Sequence, residues 1–183
     1  MKRVLLLTNS EHGQANVYLA VSHSLLSLEQ DVEVHLASFP PIEKFVKVTS
    51  EFAQTRCKHK KSIVFHQIQG IDMQSAWLRP EIGVGDPTSN STRGIFNVAN
   101  KVRLLLRVTM PWSGPEFVEI YRSTVEIIQD VQPDIIAVDP AFSPALTACR
   151  HLGVKFVLLT PNTIKDFAMP LQPNLEALWK YPW

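Results

Sequence analysis

The sequence predicts an α/β protein built around a doubly wound parallel sheet, and three observations carry that prediction. Apolar runs too short for helices recur along the chain, each closed by polar turn formers, as buried parallel strands require. Segments with apolar residues at helical spacing alternate with those runs, the order that right-handed crossovers produce. No internal repeat or low-complexity tract interrupts the alternation.

The first run, "RVLLLTN" (3–9), is a strand, and the helix after it extends from about Gly13 to Leu28 with Tyr18, Val21, Leu25 and Leu28 as its apolar stripe. "DVEVHLASF" (31–39) alternates and is β-branched, so it forms the second strand and closes a β–α–β unit. Pro40 and Pro41 open a helix through "IEKFVKVTSEFAQT", and "KKSIVFHQI" (60–68) is the third strand. Residues 70–93, rich in Gly, Pro, Ser and Asn, read as a long irregular functional loop. Helices follow at about 94–109 and 115–130, the second with Phe117, Ile120, Tyr121 and Ile128 on one face. "PDIIAVD" (133–139) is the fourth strand, a helix covers roughly 143–152, and "VKFVLLT" (154–160) is the fifth strand. The result is a Rossmann-like sheet flanked by helices.

The 183 residues suit one domain. With 18 Lys+Arg against 17 Asp+Glu, the overall field offers no attraction to nucleic acid or anionic lipid. Cys57 and Cys149 lie far apart and lack any ligand spacing, which disfavours both a disulfide framework and a metal site, and places the chain in a reducing compartment. The apolar run after Met1 is shorter than the ~7 to 15 residues of a signal core, and no stretch is long enough to span a membrane, so a cytoplasmic location is expected.

Ligands of open parallel sheets sit beyond the carboxyl ends of the strands, where strand order reverses. The first strand runs out into Ser10, Glu11 and His12, the fourth ends at Asp139, and the fifth at Thr160, Pro161 and Asn162. In the order 3-2-1-4-5 the first and fourth strands are neighbours, so His12 and Asp139 face one crevice. A neutral imidazole takes a proton near neutral pH, and a carboxylate that holds its other nitrogen fixes the tautomer and stabilises the imidazolium. Such a dyad activates a hydroxyl. Plainer roles stand beside these: His12 as a helix cap or turn residue, and Asp139 as the Asp of an ordinary Asp-Pro strand exit.

The segment "RVLLLTNSEHGQANVYLAVSHSLLSLEQDVEVHLAS" resembles the amino-terminal β–α–β unit of UDP-dependent glycosyltransferases of the GT-B architecture, glycosyltransferase family 1. "PDIIAVDPAFSPALTACRHLGVKFVLLTPN" resembles a later segment of the same domain, and "WKYPW" looks most like fungal members. The resemblance covers about 1–39 and 133–165 and is thin between them. It implies a single half of a GT-B fold, with residues 1–165 as the acceptor-binding domain and 166–183 as a tail leading to a donor-binding domain or subunit. It further implies that His12 deprotonates an acceptor hydroxyl, that Asp139 pairs with it, and that a UDP-sugar is the donor, with no other cofactor and no metal. Glu11 departs from the pattern, since the family often has Gly there, and a side chain restricts that turn. The rival reading is a non-catalytic paralogue that keeps a small-molecule pocket or an interaction surface.

Trp77, Trp112 and Phe142, with Phe96, lie in or beside loops and are candidate walls of an apolar acceptor pocket, with core packing as the alternative for each. Asn162 is a further crevice candidate or an Asx-turn residue. No GxGxxG follows the first strand, and "GVGDPTSNS" (83–91) lacks a phosphate-loop lysine. The basic run "RCKHKK" (56–61) reads as a solvated lead into the third strand. His23, His35 and His151 read as structural, while His66 is a weak crevice candidate.

Overall fold

The computed structural model describes residues 2–27, 31–56, 61–79 and 109–161. In chain order the elements are β1 (Lys2–Leu7), α1 (His12–Leu26), β2 (Val32–Ser38), α2 (Pro40–Arg56), β3 (Val64–Gln67), α3 (Met73–Trp77), α4 (Gly114–Val131), β4 (Ile135–Val138), α5 (Ser143–His151) and β5 (Phe156–Leu158). The five strands form one sheet in the order β3-β2-β1-β4-β5, and every pairing is parallel. Leu7 stands opposite both Ala37 of β2 and Val138 of β4, so β1 is central.

The sheet is covered on both faces. Val4, Leu6, Val34 and Leu36 pack with Tyr18 and Leu19 of α1 and Ile42 and Val46 of α2. Leu5, Leu7, Ile136 and Val138 pack on the other face with Ile120, Ile127 and Ile128 of α4 and Ala145 and Ala148 of α5. Leu5, Leu6 and Leu7 are at most 1% exposed, and each contributes roughly 1.5 to 3 kcal/mol by leaving water. A strand buried on both sides cannot alternate with polar residues, which is why β1 reads as an unbroken apolar run.

The buried stripe of α1 is rotated from the expected one. Ala15, Tyr18, Leu19, Ser22 and Leu26 face the sheet, while Val21 and Leu25 are half-buried. Ser22 is tolerated there because its hydroxyl donates to Tyr18 O at 2.7 Å. Tyr18 in turn donates its hydroxyl to Leu159 O at 2.7 Å, fastening α1 to the end of β5.

Within the segment expected to be irregular, residues 73–77 form α3, because Asp72 caps it through Ser75 N at 3.0 Å. The helix expected at 94–109 lies outside the described residues but for Thr109. α4 begins with a capping box in which Ser113 and Glu116 satisfy one another's backbone N–H groups. Gly70 has φ +110°, and a Cβ on it would stand 2.7 Å from Ile120 Cγ1, so both conformation and space demand glycine.

Candidate functional site

Strand order reverses between β1 and β4, and the chain leaves both strands at the same end of the sheet. The ladder continues one step past β4: Asp139 N donates to Leu7 O at 3.0 Å, which fixes Asp139 beside the β1 exit. The Asp-Pro sequence then turns, with Phe142 N donating to Asp139 O at 2.9 Å, and α5 starts at Ser143.

The Asp139 carboxyl is fully buried. Its Oδ1 accepts from Ala141 N at 2.9 Å, and its Oδ2 accepts from Asn9 Nδ2 at 3.3 Å. Burial pushes its pKa up to about 6, against the pull of hydrogen bonds from Ala141 N, the Thr8 hydroxyl and Asn9 N. The same burial, with Asp139 nearby, drives the Tyr18 phenol upward, so that group stays a neutral donor.

Asn9 is also fully buried and uses both ends of its amide. Its Oδ1 accepts from Glu11 N at 2.8 Å, and its Nδ2 reaches Gln14 Oε1 at 2.6 Å as well as Asp139, with Met73 Sδ at 3.5 Å. Glu11 is the N-cap of α1 but places no side-chain oxygen on the helix. Its carboxyl is raised by burial and by Asp72, with His12 opposing, and its Oε1 accepts no hydrogen bond among the described residues. Ser10 ties this turn to α3 by donating to Asp72 Oδ1 at 3.3 Å.

His12 opens α1, and its side chain is exposed. The imidazole stands edge-on to Phe45 of α2, with ring centroids 4.9 Å apart. The hydrogen bonds that reach Asp139 come from Asn9, Ala141 and Thr8, and none comes from His12. The two residues therefore occupy adjacent strand exits, with Asn9 in the bonding position between the strands. A cavity of about 370 Å³ opens at the turn that follows Asp139, lined by Gln14, Thr109, Met110, Pro140, Ala141, Ser143 and Thr160; neither His12 nor Asp139 is in its lining. Ser143 Oγ is buried and has no partner among the described residues.

The aromatic candidates are placed elsewhere. Phe142 is 0% and Trp112 8% exposed; their rings lie 6.1 Å apart, and Phe142 meets Phe39 at 5.8 Å. Trp112 Nε1 donates to Ile71 O at 2.9 Å, and Trp77 is half-buried against the same cluster. All three sit in the core on the α4 face, and the cavity beside Asp139 is lined by other residues. Asn162, Phe96, the segment 83–91, Cys57 and the aromatic end of the tail lie outside the described residues. Thr160, two residues before Asn162, does line the cavity.

Of the other described histidines, His66 and His35 are engaged with each other, His23 and His151 lie against aromatic rings, and His151 is exposed. His66 is bonded ring to ring with His35 at 2.9 Å, and His35 Nε2 lies 3.5 Å from Glu33 Oε2, so the His66 ring is engaged within the β2–β3 pair. Burial and His35 lower its pKa, while Asp130 opposes. His23 stacks near Phe52 and His151 near Tyr121. Asn9 and Gln14 were missed in the sequence. The signal for Asn9 was present: an amide closing a fully buried strand must find partners for both ends.

No protein-family model matches the chain. It is 27% identical over 189 residues to the glycosyltransferase sdnJ of Sordaria araneosa, covering 98% of this chain and 36% of that protein. It is also 27% identical over 191 residues to erythritol-mannosyl-transferase 1 of Mycosarcoma maydis, covering 97% of this chain and 26% of that protein. The chain thus spans between a quarter and two-fifths of the length of these curated relatives. Among solved structures it resembles the Streptomyces sp. SF2575 glycosyltransferase SsfS6, with a TM-score of 0.54 and 13% identity over 87% of this chain and 39% of that one. SsfS6 is also known complexed with thymidine diphosphate. The calicheamicin glycosyltransferase CalG4 gives a TM-score of 0.54 at 15% identity, covering 98% of this chain and 35% of its own. Identities this low carry the fold, and the fungal relatives carry the sequence likeness; together they support a likeness to the amino-terminal half of a GT-B glycosyltransferase.

Proposed function

We propose that the chain is the acceptor-binding half of a UDP-dependent glycosyltransferase that moves a sugar, with inversion, onto a hydroxyl of a small lipophilic acceptor. The supporting observation is a cavity of about 370 Å³ at the strand-order reversal, lined by Pro140 and Ala141 directly after buried Asp139 and by Gln14, two residues after His12. In this reading His12 takes the acceptor proton as the acceptor oxygen bonds to the anomeric carbon, and the bond from that carbon to the nucleotide breaks with its electron pair leaving on UDP. Asp139 supports the positive imidazolium that forms. General-base help of this kind is worth ~10² to 10⁴-fold. Charge on the leaving diphosphate is met mainly by a donor-binding domain or subunit. Uridine as the nucleotide rests on the resemblance of the sequence motifs, and the thymidine diphosphate of SsfS6 supports only the broader class of nucleoside diphosphates.

The test is turnover of a UDP-sugar by the chain joined to, or mixed with, a donor-binding half. His12→Ala should lower kcat by about 10² or more and leave acceptor affinity unchanged. Full turnover by that variant refutes the assignment.

One observation favours the second reading, a non-catalytic binding protein: His12 rests on Phe45 and makes no hydrogen bond to Asp139. Absence of transfer in the joined protein, with calorimetric binding of a small acceptor retained, would establish it.

A further inference from the structure

We propose that Asn9 is the positioning residue of this site: its amide joins the Asp139 carboxylate to the first turn of α1, so that Asp139 acts on His12 through Asn9. The inference rests on the reading of His12 and Asp139 as the reacting pair.

The orientation of the amide is dictated by its surroundings. Glu11 N is a donor and lies 2.8 Å from one end of the side chain, so that end is the oxygen. The other end, Nδ2, then faces two oxygen acceptors, Gln14 Oε1 at 2.6 Å and Asp139 Oδ2 at 3.3 Å, with the weaker acceptor Met73 Sδ at 3.5 Å. Of the three nitrogen and oxygen groups held by Asn9, two belong to the turn that carries His12, as Glu11 precedes it and Gln14 follows by two residues. The third is the carboxylate. A charged acceptor polarises the N–H it receives, and in a fully buried setting that polarisation is little screened. Serine is too short to span the gap. Aspartate has the right shape, but it would set a second carboxylate against Asp139, and the two would have to share a proton.

NMR titration of the chain, with labelled carboxyl carbons and imidazole nitrogens, tests the relay without any turnover. In the wild type the His12 ring signals should show an inflection at the Asp139 midpoint. In Asn9→Ser that inflection should vanish while Asp139 still titrates. In Asn9→Asp the Asp139 midpoint should rise by ~1 unit or more, and the His12 signals should return toward wild type on acidification, when a carboxylic O–H donates in place of the amide. In the enzyme with its donor half, Asn9→Ser should lower kcat by about 10 to 10²-fold with KM held within about twofold. An inflection that survives in Asn9→Ser overturns the proposal, and so does its absence from the wild type, a result that needs no variant to fold. Failure of the underlying reading shows separately, as undiminished turnover by His12→Ala.

Discussion

At the scale of the residue, Asp139 is held in surroundings that oppose its charge. Burial raises it from 3.8 to about 6, outweighing the hydrogen bonds from Ala141, Thr8 and Asn9. Because the folded value lies above the unfolded one, the folded chain binds the extra proton between about pH 4 and pH 6. Its contribution to stability is fully present below the unfolded value and is lost as pH rises through about 6, a change on the order of 3 kcal/mol. Urea unfolding of the wild type and Asp139→Asn across this range should show the difference moving in favour of the wild type as pH falls. A flat difference would refute it. His66, lowered from 6.5, works in the opposite direction on acidification, but it is common to both proteins and cancels. In the proposed enzyme the same ionisation makes transfer rise as pH rises through about 6.

At the scale of the element, the start of α4 is clamped from two sides. Glu116 closes the capping box with Ser113 and also takes both guanidinium arms of Arg79, one at 2.9 Å, from the residues that follow α3. The Arg79 hydrogen bond, then those of Ser113, hold the Glu116 carboxyl down at about 2 despite the opposing pull of burial. Here the folded value lies below the unfolded one, so the stabilisation is present above 4.5 and is lost as pH falls toward 2. Glu116→Ala should cost about 1 to 2 kcal/mol near neutral pH, the sum of a lost cap and a half-exposed ion pair. Chemical denaturation at pH 7 and pH 3 checks this through a smaller cost at the lower pH. At the loop after β3, Gly70→Ala would force a Cβ against Ile120 at a φ of +110°. A loss of about 2 kcal/mol or more in thermal or urea unfolding is expected.

At the scale of the whole molecule, the sheet is sealed in its middle and bare at one margin. Among the described residues β5 pairs with β4 alone, and Val157 and Leu158 are 55% and 53% exposed. Successive strand residues point to opposite faces, so apolar surface is exposed on both faces of β5 even though Phe156 packs against the core. An apolar strand whose outer edge is unpaired among the described residues is a template for further pairing. The 183-residue chain by itself should therefore self-associate as its concentration rises, and Val157→Lys should reduce that association in sedimentation velocity. A strictly monomeric wild type would count against the exposed margin. Among the described residues, no helix is long and apolar enough to cross a membrane.

The sequence by itself determined the strand and helix alternation, the burial of β1 as a parallel strand, and the pair of strand exits at His12 and Asp139. These are local properties: apolar period, turn chemistry and motif spacing act over a few residues, and the parallel crossover has one hand. The tertiary structure decided what lies between those exits. The α1 stripe turned to Ala15, Tyr18 and Ser22 because Ser22 returns its hydroxyl to the backbone, which the apolar pattern does not encode. Trp112 and Phe142 went into the core because α3, α4 and α5 meet there, and Asn9 took the place beside Asp139 because β1 and β4 are neighbours. Each is a contact between residues distant in sequence, fixed only when packing brings the elements together.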